Sequence, residues 1–342
     1  MLFYSPKDIF VCMNTKHAKS PCCQGKVIKF GERRRQCYVC RKTWRIRQKK
    51  TGRKKKRVQA NLAASFLINQ RLSCYSLSAK LQKSEDVLNR NIKRSLSQFV
   101  LKTPYPKLPT KSPLVVIADA MAQRVENKIY TAYFILVKAP ASKKATIAPP
   151  YFEEGKESCA GWKNAFGNLP KPVFKVIAAI VSDGHLGLRS LALRNDWLMQ
   201  RCQFHLLASL QGRRSKSKFS RHREVGEAIF ALVKSIINDK NEEDLWNSIS
   251  RLKEIRAHTS SPGLSRLLRG FMKTHKQFRT FIDYPDLNLP RTSNTAESLI
   301  GCVRNLLRRT RGFRSIKSLE LWVEGLIKCK KYIVCNGYHQ PS

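Results

Sequence analysis

An α/β fold carrying a long helical insertion is predicted by three features of the chain. Two short apolar runs, Leu114–Ala118 and Val173–Ser182, each end in an aspartate, Asp119 and Asp183. Between them Ile129–Val137 is β-branched and aromatic, the composition of a neighbouring strand. Helical periodicity then takes over: Val225, Ala228, Ile229, Leu232, Val233, Ile236 and Ile237 fall on one face of a helix. Two smaller parts precede this core, a basic cysteine-rich module (1–57) and a helical segment (58–102). A linker (103–113) leads into the core (114–342).

The composition narrows the class. The chain has 342 residues, enough for two or three domains. Its 66 Lys and Arg against 23 Asp and Glu leave a formal charge of +43. Such an excess repels itself unless a polyanion is present, so nucleic acid is the first partner expected and a small-molecule substrate is not. Hydrophobic residues make up 42%, which supports real cores. No apolar run reaches the roughly 18 residues that span a bilayer, and Met1–Met13 lacks a secretory pattern. No membrane association is expected, and the location expected is cytoplasmic.

In chain order, the first element is a metal candidate. Five of 11 cysteines lie in the first 40 residues. Cys37-Tyr38-Val39-Cys40 has the spacing of a zinc knuckle. Its other half is irregular: Cys22 and Cys23 are adjacent, and Ser20 stands where a regular knuckle has cysteine. Cys22, Cys23 and His17 are the candidates to complete a Zn²⁺ site, with Cys12 outside it. Reduced structural cysteines in a hairpin are the alternative. The stretch Glu32–Arg57 holds 14 Lys and Arg and one acid. Arg33, Arg34, Arg35, Lys54, Lys55, Lys56 and Arg57 are its candidate phosphate contacts.

Residues 61–101 read as short helices. The third begins at Ser84, an N-cap with Glu85 and Asp86 behind it. Leu88, Ile92, Leu96 and Phe99 form its apolar stripe. Asn89, Arg90, Lys93 and Arg94 are left on other faces, which suits the reading helix of a helix-turn-helix or the surface of a plain bundle. Four prolines mark Thr103–Pro113 as linker. Beyond the strands named above, Glu157–Leu169 is a short helix, Leu198–Phe204 a further strand, and Leu245–Ile255, Leu264–Met272 and Asn294 to about Val334 are helical. Trp162 and Trp197 either pack in the core or stack on bases.

Acids are scarce, so their positions matter. Asp119 and Asp183 sit at strand ends, where α/β folds bind ligands, and serve either as turn residues or as metal ligands. The third is Glu297. On its helix Leu299, Val303, Leu306 and Leu307 take one side, while Glu297, Gly301, Arg304 and Arg308 take the other. That second face is either solvated surface or a carboxylate with two phosphate-clamping arginines; Arg309, Arg311 and Arg314 add to the positive field. Two Mg²⁺ (or Mn²⁺) ions about 3.5–4 Å apart, held by three such carboxylates, suit phosphodiester chemistry.

Several motifs together resemble the Mutator-like DDE transposases of bacterial insertion sequences. They are Val181-Ser182-Asp183-Gly184, Arg201-Cys202-Gln203-Phe204-His205 and Thr292-Ser293-Asn294-Thr295-Ala296-Glu297-Ser298, with Ala118-Asp119-Ala120 a weaker match. The resemblance spans about residues 114–330. It implies a ribonuclease H-like core with Asp119, Asp183 and Glu297 as Mg²⁺ ligands and 206–290 as the helical insertion. It also implies a zinc ribbon and helix-turn-helix in front, and a homodimer or larger assembly on DNA in the nucleoid. Cys202 and His205 are either a second metal pair or a packed cysteine with a histidine near the scissile phosphate. The activity implied is cleavage at the inverted-repeat ends of an element and transfer of the freed strand to target DNA. A nuclease or resolvase without strand transfer, and a non-catalytic DNA-binding regulator, are the competing readings.

Overall fold

The computed structural model describes residues 19–20, 22–31, 34–45, 61–69, 73–111, 113–214, 223–259, 261–310 and 313–335. The chain divides into two compact units, Met1–Gln59 and Ala60–Ser342. Of the residues singled out above, Cys12, His17, Arg33, Lys54, Lys55, Lys56, Arg57 and Arg311 lie outside the described set.

In the first unit β1 (Val27–Lys29), β2 (Arg34–Cys37) and β3 (Thr43–Arg45) form an antiparallel meander in that order. Three- and four-residue strands bury little, and Cys37 and Ser20 are among the few buried side chains. Among the described residues of this unit apolar burial is slight.

The second unit is built on a mixed sheet. Its strands are β4 (Leu114–Val125), β5 (Lys128–Lys138), β6 (Lys144–Ile147), β7 (Tyr151–Glu154), β8 (Ile177–Ser182), β9 (Leu198–Arg201) and β10 (Tyr332–Val334). The order is β10-β6-β5-β4-β8-β9, with β7 pairing β5 off that path. β4 and β5 are antiparallel, and β4, β8 and β9 run parallel. Glu126 and Asn127 both have positive φ, the two-residue turn that matches the twist of a hairpin.

Alternation sorts the sheet residues onto two faces. Val115, Ile117, Phe134, Leu136 and Val181 pack with α12 (Asn294–Arg309), α13 (Ile316–Lys330) and the three N-terminal helices α1 (Asn61–Ile68), α2 (Cys74–Leu81) and α3 (Glu85–Lys102). Leu114, Val116, Tyr133, Ile135 and Ile180 pack with α4 (Cys159–Gly167) and α6 (Leu186–Arg194) on the other face. A third core belongs to the helices that follow β9: α7 (Gln203–Arg214), α8 (Arg223–Asn238), α9 (Glu242–His258) and α10 (Pro262–Thr274); the short α11 (Thr280–Asp283) comes next.

Several boundaries differ from the sequence reading. Val173 and Phe174 are helical, in α5 (Lys171–Phe174), because Pro170 and Pro172 preset the first helical turn. β9 stops at Arg201, since Gln203 already begins α7. The C-terminal stretch is two helices and then β10, with Ser315 capping the second helix through the Ser318 N–H. The short strands β6, β7 and β10 carry no signal of their own. The segment expected to be a linker has no regular structure but is docked: Tyr105 packs on the core beneath the Lys328 ammonium, 4.5 Å from its ring.

Candidate functional site

Strand pairing brings two acids level. Ile117 pairs with Val181 in the parallel ladder, so Asp119 and Asp183 stand two residues further along adjacent strands, on the same face. Asp119 is not at a strand end, as the sequence reading placed it. β4 runs on to Val125 because it continues to pair with β5, while β8 ends at Ser182. One edge of β4 is therefore open beside Asp119. The Asp119 carboxylate accepts a hydrogen bond from the Ala120 N–H at 2.8 Å, and Asp183 accepts one from the His185 N–H at 2.9 Å.

Glu297 arrives on the same face of the sheet. It lies in the first turn of α12, whose Ala296, Leu299, Ile300 and Val303 are packed into the core. That packing leaves Glu297 half-buried over β4. Burial raises the Asp119 carboxyl to about 7, and the Asp183 and Glu297 charges push in the same direction against the lowering effects of the Ala120 N–H and His205. The three acids thus share one electrostatic site.

A second set of groups adjoins it. Cys202, His205 and Glu297 offer ligand atoms that all lie within 4.8 Å of one another. His205 Nδ1 is 3.6 Å from Glu297 Oε1. Cys202 is fully buried, and its sulfur accepts a hydrogen bond from the Ser293 N–H at 3.3 Å. Burial raises the Cys202 thiol, but hydrogen bonds from His205 and Ser293 outweigh it and leave it below the usual thiol range. The reciprocal bond from Cys202 raises His205 to about 9, with Glu297 and Asp183 adding to the effect. The backbone holds these segments together: the Cys202 N–H binds the Ser182 carbonyl and the Gln203 N–H binds the Arg291 carbonyl. All three motifs singled out above are therefore tied at one point, with Asp183, Cys202 and Glu297 following from it.

In the first unit the four cysteines Cys22, Cys23, Cys37 and Cys40 converge, their sulfurs all within 4.8 Å of one another. Cys22 meets Cys40 at 3.1 Å and Cys23 meets Cys37 at 3.2 Å, and all four are free thiols. Adjacent cysteines in one turn therefore complete the set that Cys37 and Cys40 begin. Ser20, buried in the place of the missing cysteine, contacts Cys23 instead. The Cys40 backbone N–H holds the Cys37 thiol down at about 6. The set could hold a metal ion such as zinc.

The basic candidates divide. Arg304 and Arg308 are exposed on the Glu297 face of α12, and a side chain built at Gly301 between them meets nothing within 4 Å. Arg314 is exposed too. Arg309 is buried instead, donating to the Phe66 and Asn69 carbonyls at 2.7 Å each, so it is a structural tie and no part of a surface field. On α3, Arg90, Lys93 and Arg94 are exposed. Asn89 is half-buried and accepts a hydrogen bond from the Cys74 thiol, which joins α3 to α2. In the meander Arg34 is exposed and Arg35 half-buried. Trp162 and Trp197 are core residues: Trp162 stacks edge-on to Tyr133, and Trp197 contacts Phe166 and Phe174.

Two cations beside Asp183 escaped the sequence reading. Arg201 donates to the Asp183 carbonyl at 3.3 Å, and Arg189 projects from α6 nearby. Arg201 opens the Cys-x-x-His motif, so its position was visible but its role was not. No helix among the described residues is long and apolar enough to cross a membrane. No family model matches the chain, and no curated protein matches it in sequence.

Proposed function

We propose that the chain is a DDE transposase acting on double-stranded DNA, with a ribonuclease H-like core formed by β4, β5, β6, β8 and β9. The observation that carries this reading is the placement of Asp119, Asp183 and Glu297, distant in sequence, on one face of the sheet, where the Asp183 and Glu297 charges add to burial in raising the Asp119 carboxyl. Carboxylates are hard oxygen ligands, and their crowding is relieved by divalent cations. Asp119, Asp183 and Glu297 would hold Mg²⁺ or Mn²⁺, which supplies activation of the attacking oxygen and stabilisation of the leaving one.

The chain's own groups would do the rest. Asp119 would serve as a ligand in its deprotonated form. His205, cationic and beside Glu297, stabilises the phosphate anion at the edge of the site. Arg304 and Arg308 lie on the helix face that bears Glu297 and would hold flanking phosphates. Ser293 and Cys202 keep the start of α12 in register with β8. Arg90, Lys93 and Arg94 would grip the duplex backbone, and the cysteine meander with bound Zn²⁺ would present Arg34 and Arg35 to it. Two element ends must be held at once, so the active form would be a homodimer or larger assembly on DNA.

The experiment is a strand-transfer assay with pre-cut end DNA and Mn²⁺ or Mg²⁺. Joined product is expected from the unmodified chain. Asp119→Asn, Asp183→Asn and Glu297→Gln should each lower it by about 10²-fold or more. Cleavage without joining favours a nuclease or resolvase. Biological activity unchanged by all three substitutions favours a non-catalytic regulator.

A further inference from the structure

A cavity of about 530 Å³ opens beside Asp183, between the sheet and the helical insertion. Its size is that of a small-ligand pocket. Arg189, Arg201, Arg266 and Lys273 line it together with His205, and Asp183 is the one carboxylate among its lining residues. Part of its wall is apolar, from Leu206, Leu267, Phe271 and Phe278. Cations and hydrocarbon are interleaved around the recess: Arg266, Leu267, Phe271 and Lys273 all lie on α10, and Arg201 lies against Phe278.

The cations are held in place deliberately. The Arg201 guanidinium donates to the Thr274 hydroxyl at 3.0 Å and lies over the Phe278 ring at 4.6 Å. Gly184 makes room for it: φ there is +98°, and a Cβ would stand 2.2 Å from Arg201 Nε. The Nε atoms of Arg189 and Arg201 are both buried and have no hydrogen-bond partner among the described residues. Burial and the neighbouring Arg189 charge depress the Arg201 guanidinium, against the partial support of Asp183. Two neighbouring guanidiniums whose buried Nε atoms lack partners would be relieved by an added anion.

We propose that this cavity is a nucleotide pocket, which takes one unpaired nucleotide of the strand passing Asp183, its phosphate against the guanidiniums and its base against the apolar wall. The inference rests on the reading that the acids face DNA. An inorganic phosphate would leave the apolar wall unused. A base pair within a duplex cannot enter a recess of this size, so the nucleotide must leave the stack.

The test is equilibrium binding of the full chain, in chelator, to a blunt duplex and to the same duplex with an unpaired extension, read by fluorescence anisotropy. A preference of about tenfold for the extended duplex is expected, the scale of one stacked base. Arg189→Gln should remove it. Gly270→Phe should remove it too, by filling the cavity: Gly270 lines the wall in α10, and a Cβ added there meets nothing within 4 Å, which leaves room for the side chain to start. Thermal melting of each variant checks that it is folded. Deoxyadenosine monophosphate should compete with the extended duplex far better than inorganic phosphate. The proposal is overturned if the unmodified chain shows no preference, if the preference survives Gly270→Phe in a folded protein, or if phosphate alone competes equally well. Because no metal is present, failure of strand transfer leaves this result readable, and transfer without any preference rejects the pocket alone.

Discussion

Asp119 shows how a backbone neighbourhood reshapes one side chain. It is one residue among a row of buried strand residues, and its carboxyl rises from 3.8 to about 7 through burial first and through Asp183 and Glu297 next. A raised native pKa means that the folded state holds the proton more tightly than the unfolded chain does. The resulting stabilisation is complete below about 3.8 and is lost as pH climbs to about 7. In chelator, the melting temperature should therefore fall over that window, and Asp119→Asn should flatten the fall. An equal slope in both proteins would remove Asp119 as its source. Arg309 makes the opposite case, a charge placed for structure. Arg309→Met removes the donor to the buried Phe66 carbonyl and the tie to the Asn69 carbonyl, and should cost about 3 kcal/mol in urea unfolding. A change of a few tenths would show that those carbonyls find other partners.

At the scale of the element, the contrast is between the meander and α12. The strands β1 to β3 have almost no apolar interior, so the four sulfurs are their principal means of cohesion. Mass spectrometry under native conditions should find one zinc per chain, and Cys37→Ser should lose it. The far-UV signal at the helical minimum should be unaffected, because the described part of this unit contains no helix. Retention of stoichiometric zinc by Cys37→Ser would contradict the four-sulfur set. The α12 helix owes nothing to such a staple. Its buried Leu299, Val303 and Leu306 orient it against the sheet, and the same packing sets the direction of Glu297.

For the whole molecule, charge is the dominant fact. A formal +43 over 342 residues is opposed by very few described ion pairs, so the cations are available to an outside anion. The affinity for duplex DNA should fall steeply with salt, with a slope in log K against log[salt] of about −0.9 for each phosphate neutralised. Replacing Arg304 and Arg308 by Gln should make that slope shallower by about two such contacts. A flat dependence would deny the phosphate role of the basic surface. Packing also joins the helices α1 to α3 to the sheet in one unit: the Phe66 and Trp322 rings lie 5.4 Å apart, and Leu96 sits against Gly325. A DNA-gripping face on α3 would thus be carried rigidly with the acids.

Much of this was legible in one dimension. Strand and helix periods depend on local side-chain order, so β4, β5 and the amphipathic helices α8, α9, α10 and α12 were all visible. Asp119 and Asp183 stood out because each follows an apolar run, Glu297 because it lies opposite the apolar side of its helix, and Cys37 and Cys40 because of their spacing, which the adjacent Cys22 and Cys23 do not share. What local order could not decide is anything set by a partner far along the chain. β4 runs past Asp119 only because β5 pairs with it, and β10 exists only because β6 offers an edge. Arg309 and Asn89 look like surface groups until the carbonyls and the thiol they meet are known. The sequence by itself determined the cast of elements, the charge and the chemically apt residues. Tertiary structure alone decided which cations are buried, which acids face one another and where a cavity remains, because burial and Coulomb coupling depend on distances in space that chain separation does not encode.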